Sequence, residues 1–134
     1  MKILVVDDEK DVKLLFEMQF RREIKNGTFE FVFAFSGEEA LAYMAEHEQT
    51  LQHEAILILS DINTPGMSGL ELLKQIKQRY LKPPPVVMMI TAYGDEENFT
   101  TANQLGADAF LTKPVDFVKL KERLKIWEEE QRLR

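Results

Sequence analysis

The 134-residue sequence contains no cysteine, which excludes disulfides, Cys-ligated zinc and thiol catalysis. Histidine is almost as scarce: His47 and His53 both fall in one polar stretch, EHEQTLQHE, where solvated surface roles are expected. A soft or borderline metal therefore has no evident ligand set. Long hydrophobic runs are also missing. The apolar runs span only a few residues, far short of the ~20 needed to cross a bilayer, and Met1-Lys2 leads straight into a strand-like run instead of a signal peptide. The expectation is a soluble, cytoplasmic chain with no membrane partner. Basic charge is short too: 17 Lys+Arg stand against 23 Asp+Glu, for a net charge of -6. That balance weighs against direct nucleic-acid binding through the bulk field. What is present is a globular composition, 45% hydrophobic and 30% charged, long enough for one domain with its own core.

Hydrophobic patterning divides the chain into alternating strands and helices. Ile3–Val6 is a β-branched run that stops at Asp7-Asp8, and residues 9–23 carry Val12, Leu15, Phe16 and Phe20 at helical spacing. Asp8 or Glu9 is suited to cap that helix, and Asn26-Gly27 to close it. Phe29, Phe31, Phe33 and Phe35 then alternate with Glu30, Val32 and Ala34, the period of a strand at or near a sheet edge. Ser36 with Glu39 three residues on forms a capping box for a second helix, buried through Leu41, Met44 and Ala45. Residues 46–54 read as a frayed end and a surface connection.

The third strand, residues 55–60, runs into SDINTPGMSG, and Ser68-Gly69 opens a third helix with Leu70, Leu73 and Ile76 on one face. Pro83-Pro84-Pro85 ends it at the latest. The continuous apolar run of residues 86–90 has the character of a strand covered on both faces. A weaker helix at 95–105 places Phe99, Ala102 and Leu105 inward. A short strand at 109–111 follows, and a final helix capped by Asp116 carries Phe117, Leu120, Leu124 and Trp127. Five strand–helix alternations with short connections predict a doubly wound (βα)5 domain with a five-stranded parallel sheet. The order 2-1-3-4-5 would place strands one and three side by side at the switch point, where open α/β sheets bind ligands.

Asp7 and Asp8, Asp61, Thr91 and Lys113 stand at the carboxyl ends of strands one, three, four and five. Three carboxylates in one cleft raise each other's pKa values unless a cation joins them. Mg²⁺ fits best, being hard, oxygen-seeking and usually bound by one or two carboxylates plus waters and a phosphoryl group. Asp61, on the tight loop, is the natural nucleophile toward phosphorus, because carboxylates form covalent acyl phosphates. Lys113 and the Thr91 hydroxyl would hold the phosphoryl oxygens.

MKILVVDDEKDV, SDINTPGMSG, ITAYG and FLTKPVD together resemble the signature blocks of the receiver domain of two-component response regulators. The resemblance runs from Lys2 to about Trp127, and it implies a flavodoxin-like fold and a phosphorylation-dependent signalling switch. By position it implies that Asp61 is the phosphoacceptor and that Asp8 and Asp61 bind Mg²⁺ directly. Asp7 would act through water, and the Asn63 backbone carbonyl would complete the set. It implies phosphoryl contacts from Thr91 and Lys113, a switch role for Phe110 and a cis peptide before Pro114. Asn63 and Tyr93 match positions that tune hydrolysis, and the bulk of Tyr93 points to slow or intermediate phosphate loss. The donor would be a phosphohistidine on a sensor histidine kinase or histidine phosphotransfer protein. The domain would catalyse only its own transfer and dephosphorylation. The implied output surface joins the helix at 95–105, the strand at 109–111 and the final helix, and two copies could pair through it.

On this reading residues 1–127 form the receiver domain and residues 128–134 a polar helical tail that could begin a linker to an output domain. The competing reading is a small Mg²⁺-dependent phosphohydrolase with an Asp nucleophile. That class places its nucleophile after strand one in an Asp-x-Asp pattern, whereas here strand one ends Asp7-Asp8-Glu9. A third reading, a flavodoxin-like nucleotide binder, lacks a Gly-rich loop after strand one.

Overall fold

A computed structural model of the chain describes residues 1–51, 56–80, 85–92 and 94–133. Strands β1 (Lys2–Val6), β2 (Glu30–Ala34), β3 (Ile56–Asp61), β4 (Val86–Thr91) and β5 (Ala109–Thr112) form one sheet in the order β2-β1-β3-β4-β5. Every pairing is parallel. The helices are α1 (Asp11–Gln19), α2 (Arg21–Lys25), α3 (Gly37–Glu46), α4 (Glu48–Leu51), α5 (Gly69–Arg79), α6 (Glu96–Gln104) and α7 (Phe117–Arg132). The doubly wound arrangement and the 2-1-3-4-5 order are those expected from the pattern.

Period-two alternation divides the core between the two faces of the sheet. Leu4, Val6, Ile58 and Met89 face α3, α5 and α6, packing with Met44, Leu72, Ile76 and Ala102. Ile3, Val5, Leu57 and Met88 face α1 and α7, packing with Phe16, Leu120 and Leu124. β3 is buried at all six positions, as its central place requires. On this second face phenylalanines pack on one another: Phe16 meets Phe31, Phe33 and Phe117 edge-on at 5.6, 6.2 and 5.3 Å between ring centroids, an arrangement aromatic quadrupoles favour.

Several local expectations are corrected. The single helix expected over residues 9–23 is two, because α1 ends at Phe20, whose φ of -109° and ψ of 22° depart from helical values before α2 begins. Neither Asp8 nor Glu9 caps α1; Lys10 holds the N-cap without a side-chain bond, because Asp8 is turned into the acidic cluster described below. Leu15 is 43% exposed and Phe99 46%, since residues 12, 16 and 20 define the buried edge of the first helix and Ala102 that of α6. Ala45 is exposed and Ala40 takes its place inside. In α5 Leu72 is buried beside Leu73 and Ile76, whereas Leu70 is only partly covered. His47 is half-buried, stacked on Tyr43 at 4.1 Å, with its Nδ1 2.8 Å from the Tyr43 carbonyl. Residues 128–132 continue α7 without a break. His53, Tyr93 and most of the triple proline lie outside the described residues.

Ser36 caps α3 by accepting from the Glu39 N–H at 3.1 Å, but the Glu39 carboxylate reaches the Phe35 N–H, one residue earlier than a capping box would have it. Asp116 caps α7 by accepting from Val118 and Lys119 N–H groups at 3.0 and 3.2 Å. Both caps satisfy helix N–H groups that would otherwise have no partner.

Candidate functional site

β1 and β3 lie side by side with Val6 opposite Ser60, so Asp7 follows one strand as Asp61 ends the next. Asp7, Asp8 and Asp61 each offer a carboxylate oxygen within 4.8 Å of the others. Asp61 is 4% exposed, Asp7 half-buried and Asp8 exposed. The donor set is all oxygen and open to solvent on the Asp8 side, which fits a hard cation that keeps several waters.

Asp61 is held at both oxygens. Its Oδ1 accepts the Asn63 N–H at 3.0 Å, and its Oδ2 lies 2.5 Å from Lys113 Nζ. Lys113 arrives from the end of β5 over a cis peptide to Pro114, the geometry the resemblance implied, and its own N–H donates to the Thr91 carbonyl at 2.8 Å. Thr91 is buried at the end of β4, and its hydroxyl donates to the Leu111 carbonyl at 3.5 Å, not to Asp61. Phe110 is half-buried and lies against the exposed Phe99 ring at 4.3 Å.

Burial pushes the Asp7 carboxyl above its ordinary 3.8; the Glu9 N–H on its Oδ1 pulls the other way, and the neighbouring Asp61 charge adds to the rise. Burial alone would lower Lys113, but the hydrogen bond and charge of Asp61, with the charge of Asp7, outweigh it and raise the ammonium above 10.5. The cleft thus holds uncompensated negative charge on the Asp7–Asp8 side and the Lys113 ammonium on the other. Asp7→Asn is expected to raise the thermal midpoint by a few degrees in metal-free buffer, by removing a half-buried charge that repels Asp61. The same change should reduce the stabilisation that added Mg²⁺ confers; scanning calorimetry with and without the ion measures both.

The loop between β3 and α5 is strapped by residues that were not singled out in the sequence. Glu38 Oε1 accepts the Met67 N–H at 2.9 Å across 29 residues, and Thr64 Oγ1 donates to the Met67 carbonyl at 2.6 Å. Gly66 lies at a φ of 75°, a left-handed value that favours glycine. Gly69 passes so close to β3 that an added Cβ would lie 2.7 Å from Ile62 Cα and nearer still to the Asp61 carbonyl oxygen. Its N–H donates to the Ile62 carbonyl at 2.8 Å. The only signal of this in the sequence was a glycine at the first helical position after a capping serine, where a better helix former would be expected.

The N–H groups of Glu38 itself and of Met67 hold the Glu38 carboxyl below its usual 4.5. A depressed carboxyl stabilises the fold above its unfolded value, and that contribution is lost as pH falls through the lower folded value. Glu38→Gln is therefore expected to flatten the acid limb of the stability–pH curve below about 4.5, read by urea denaturation at stepped pH.

The response regulator receiver domain family matches residues 3–125. The chain belongs to that family. The receiver domain is 38% identical over 122 residues to the response regulator protein PilR of Pseudomonas aeruginosa, covering 90% of this chain and 24% of that protein. It thus spans about a quarter of that relative's length. A CheY-like receiver domain protein of Methanospirillum hungatei is 31% identical with a TM-score of 0.75, covering 98% of this chain and 95% of the other. The receiver domain of NtrX from Brucella abortus is 30% identical with a TM-score of 0.70, covering 96% of each. Membership makes this receiver domain a regulatory module of two-component signalling that acts through phosphorylation. Among its described residues no helix is long and apolar enough to cross a membrane.

Proposed function

We infer that Asp61 accepts a phosphoryl group from a phosphohistidine of a sensor kinase or histidine phosphotransfer protein. The observation that carries this reading is the buried Asp61 carboxylate facing Lys113 on one side and Asp7 and Asp8 on the other. A carboxylate oxygen of Asp61 attacks phosphorus, the phosphorus–nitrogen bond of the donor breaks, and the leaving imidazole nitrogen takes up a proton. The product is an acyl phosphate. Asp7, Asp8, Asp61 and the Asn63 carbonyl would hold Mg²⁺, which when bound supplies positive charge opposite the transferring oxygens. Lys113 is already within hydrogen-bond distance of the acceptor carboxylate and needs little motion to reach a phosphoryl oxygen.

Phosphorylation replaces one carboxylate charge by roughly -1.5 to -2. The weak 3.5 Å bond from Thr91 to Leu111 is an inexpensive one to exchange for a charge-assisted bond to phosphate. Phe110, next to Leu111 and in contact with Phe99, would follow, altering the surface of α6, β5 and α7. A shift from 1:99 to 99:1 needs about 5.5 kcal/mol of differential contact. That surface is the proposed site for a second copy or an output partner, with Phe99 as its exposed apolar element. On α1, the helix that follows the Asp7-Asp8 turn, Leu14, Leu15 and Met18 are 60, 43 and 65% exposed on one side. A helix of the donor protein seated there would bring its phosphohistidine to Asp61. Asn63 and Tyr93 are proposed to set the rate of dephosphorylation.

The test is incubation with acetyl phosphate and Mg²⁺, followed by intact-mass measurement. One phosphoryl adduct per chain, persisting after donor removal and absent without Mg²⁺, is the expected result. Steady turnover of many phosphate esters with no adduct would overturn it in favour of a phosphohydrolase.

A further inference from the structure

The geometry points to a binding site for a nucleoside polyphosphate in the groove between α1–α2 and α7, away from Asp61. In a chain of net charge -6, a hollow of about 850 Å³ is lined by Arg21, Arg22, Lys25, Lys121 and Lys125 with Glu23 as its one acid. Such a concentration of cations on an acidic molecule focuses potential for an anion. Glu23 is 5% exposed, and its Oε1 lies 3.3 Å from Lys121 Nζ, an ion pair without hydrogen-bond geometry. It offsets one cation at most. Among the described residues Arg21, Arg22, Lys25 and Lys125 form no salt bridge.

Lys121 is fixed in place. Its ammonium donates to the Gln19 carbonyl at 3.2 Å and sits 5.4 Å from the centroid of the Phe20 ring, so little side-chain freedom remains to be lost on binding. Beside this hollow is a second, of about 270 Å³, which shares Gln19, Lys121 and Lys125 and adds Phe117, the 69% exposed Val118 and one acid, Glu122. The large hollow has the volume of a small-molecule site, and paired arginines present forks suited to phosphate oxygens. An apolar-flanked hollow joined to a cationic one matches the two halves of a nucleotide, phosphates at Arg21 and Arg22 and the base over Phe117 and Val118. A flexible acidic peptide would need a longer track than this concave pair offers.

The large hollow lies at the far end of the domain from the acyl-phosphate chemistry. The Glu23 carbonyl accepts the Phe29 N–H at 3.2 Å, just ahead of the amino end of β2, whereas Asp61 stands at the carboxyl end of β3. The two sites are therefore separable by experiment. ATP, GTP and inorganic tripolyphosphate are titrated into the full chain in Mg²⁺-free, low-salt buffer, followed by calorimetry and amide NMR. Saturable one-site binding of a nucleoside triphosphate, tighter than tripolyphosphate, with shifts in residues 18–25 and 117–125, is the expected result. Arg22→Glu/Lys125→Glu should weaken it at least about tenfold while the adduct at Asp61 still forms, which shows that the variant is folded. The inference is overturned by no saturation at millimolar nucleotide, by shifts centred on Lys113, or by tripolyphosphate binding as tightly as ATP and GTP. Tighter binding of a poly-glutamate peptide would also overturn it, assigning the groove to a protein partner.

Discussion

Asp61→Asn is expected to abolish the phosphoryl adduct while leaving the thermal midpoint within a few degrees of the native chain. The nucleophile disappears because an amide oxygen is a poor attacker of phosphorus and the neighbouring acids lack its position: Asp8 is exposed, and Asp7 Oδ1 is occupied by the Glu9 N–H. The fold survives because the amide oxygen still accepts the Asn63 N–H that Asp61 Oδ1 takes at 3.0 Å. Two electrostatic changes also oppose each other. Loss of the charge removes the ion pair with Lys113, whose side chain is 45% exposed and can turn to water, and relieves repulsion with Asp7 and Asp8. The balance should lie within about 1 kcal/mol. Intact mass after acetyl phosphate treatment and scanning calorimetry on the same sample separate the two effects. An adduct of undiminished yield in the variant would remove Asp61 from the mechanism.

Gly69→Ala is expected to destabilise the domain by about 3 kcal/mol or more, lowering the midpoint by roughly ten degrees. The new methyl would collide with the Asp61 carbonyl oxygen and approach Ile62 Cα to 2.7 Å. Both obstacles are backbone, one in the last residue of the fully buried central strand and one in the residue after it, and cannot turn aside as a flexible side chain could. Relief would require moving the start of α5 away from β3, breaking the 2.8 Å bond from Gly69 N–H to the Ile62 carbonyl. That motion pulls on the residues that aim the Asp61 carboxylate, so adduct formation should slow as well. Gly27→Ala is a useful contrast: no atom lies within 4 Å of its added methyl, so strain at its φ of 80° is all it introduces, and phosphoryl uptake should be unaffected. Chemical denaturation of both variants decides the matter. Equal stabilities would show that steric approach at Gly69 is unimportant.

Much of the site was legible in the chain because each of its residues follows a strand whose own pattern is strong. The apolar runs ending in Asp7-Asp8, Asp61 and Thr91 announced both the strands and their chemistry-bearing ends. Local pattern misleads where neighbours compete. Leu15 stands one position from the buried Phe16, and a helical stripe read from spacing cannot tell which edge faces the sheet. Asp8 had the composition of a helix cap, but the acidic cluster it joins is formed with Asp61, 53 positions further on. Glu38 and Gly69 looked like ordinary first-turn residues. Their roles depend on Met67 and β3, which local patterning does not bring near.

The sequence by itself determined the alternation of five strands and their helices, the all-oxygen character of the acidic set, and the membership of the ordered blocks in one family. Those follow from periodicity, caps and residue chemistry, which act over one or two turns of chain. Tertiary structure alone decided that Lys113 closes on Asp61 across 52 residues at 2.5 Å, and that Thr91 spends its hydroxyl on Leu111. It alone decided that Gly69 must remain without a side chain and that basic residues of α2 and α7 meet in one hollow. The physical reason is common to all four: each depends on the distance between elements remote in sequence, which the sheet order and the packing of helices on its two faces set together.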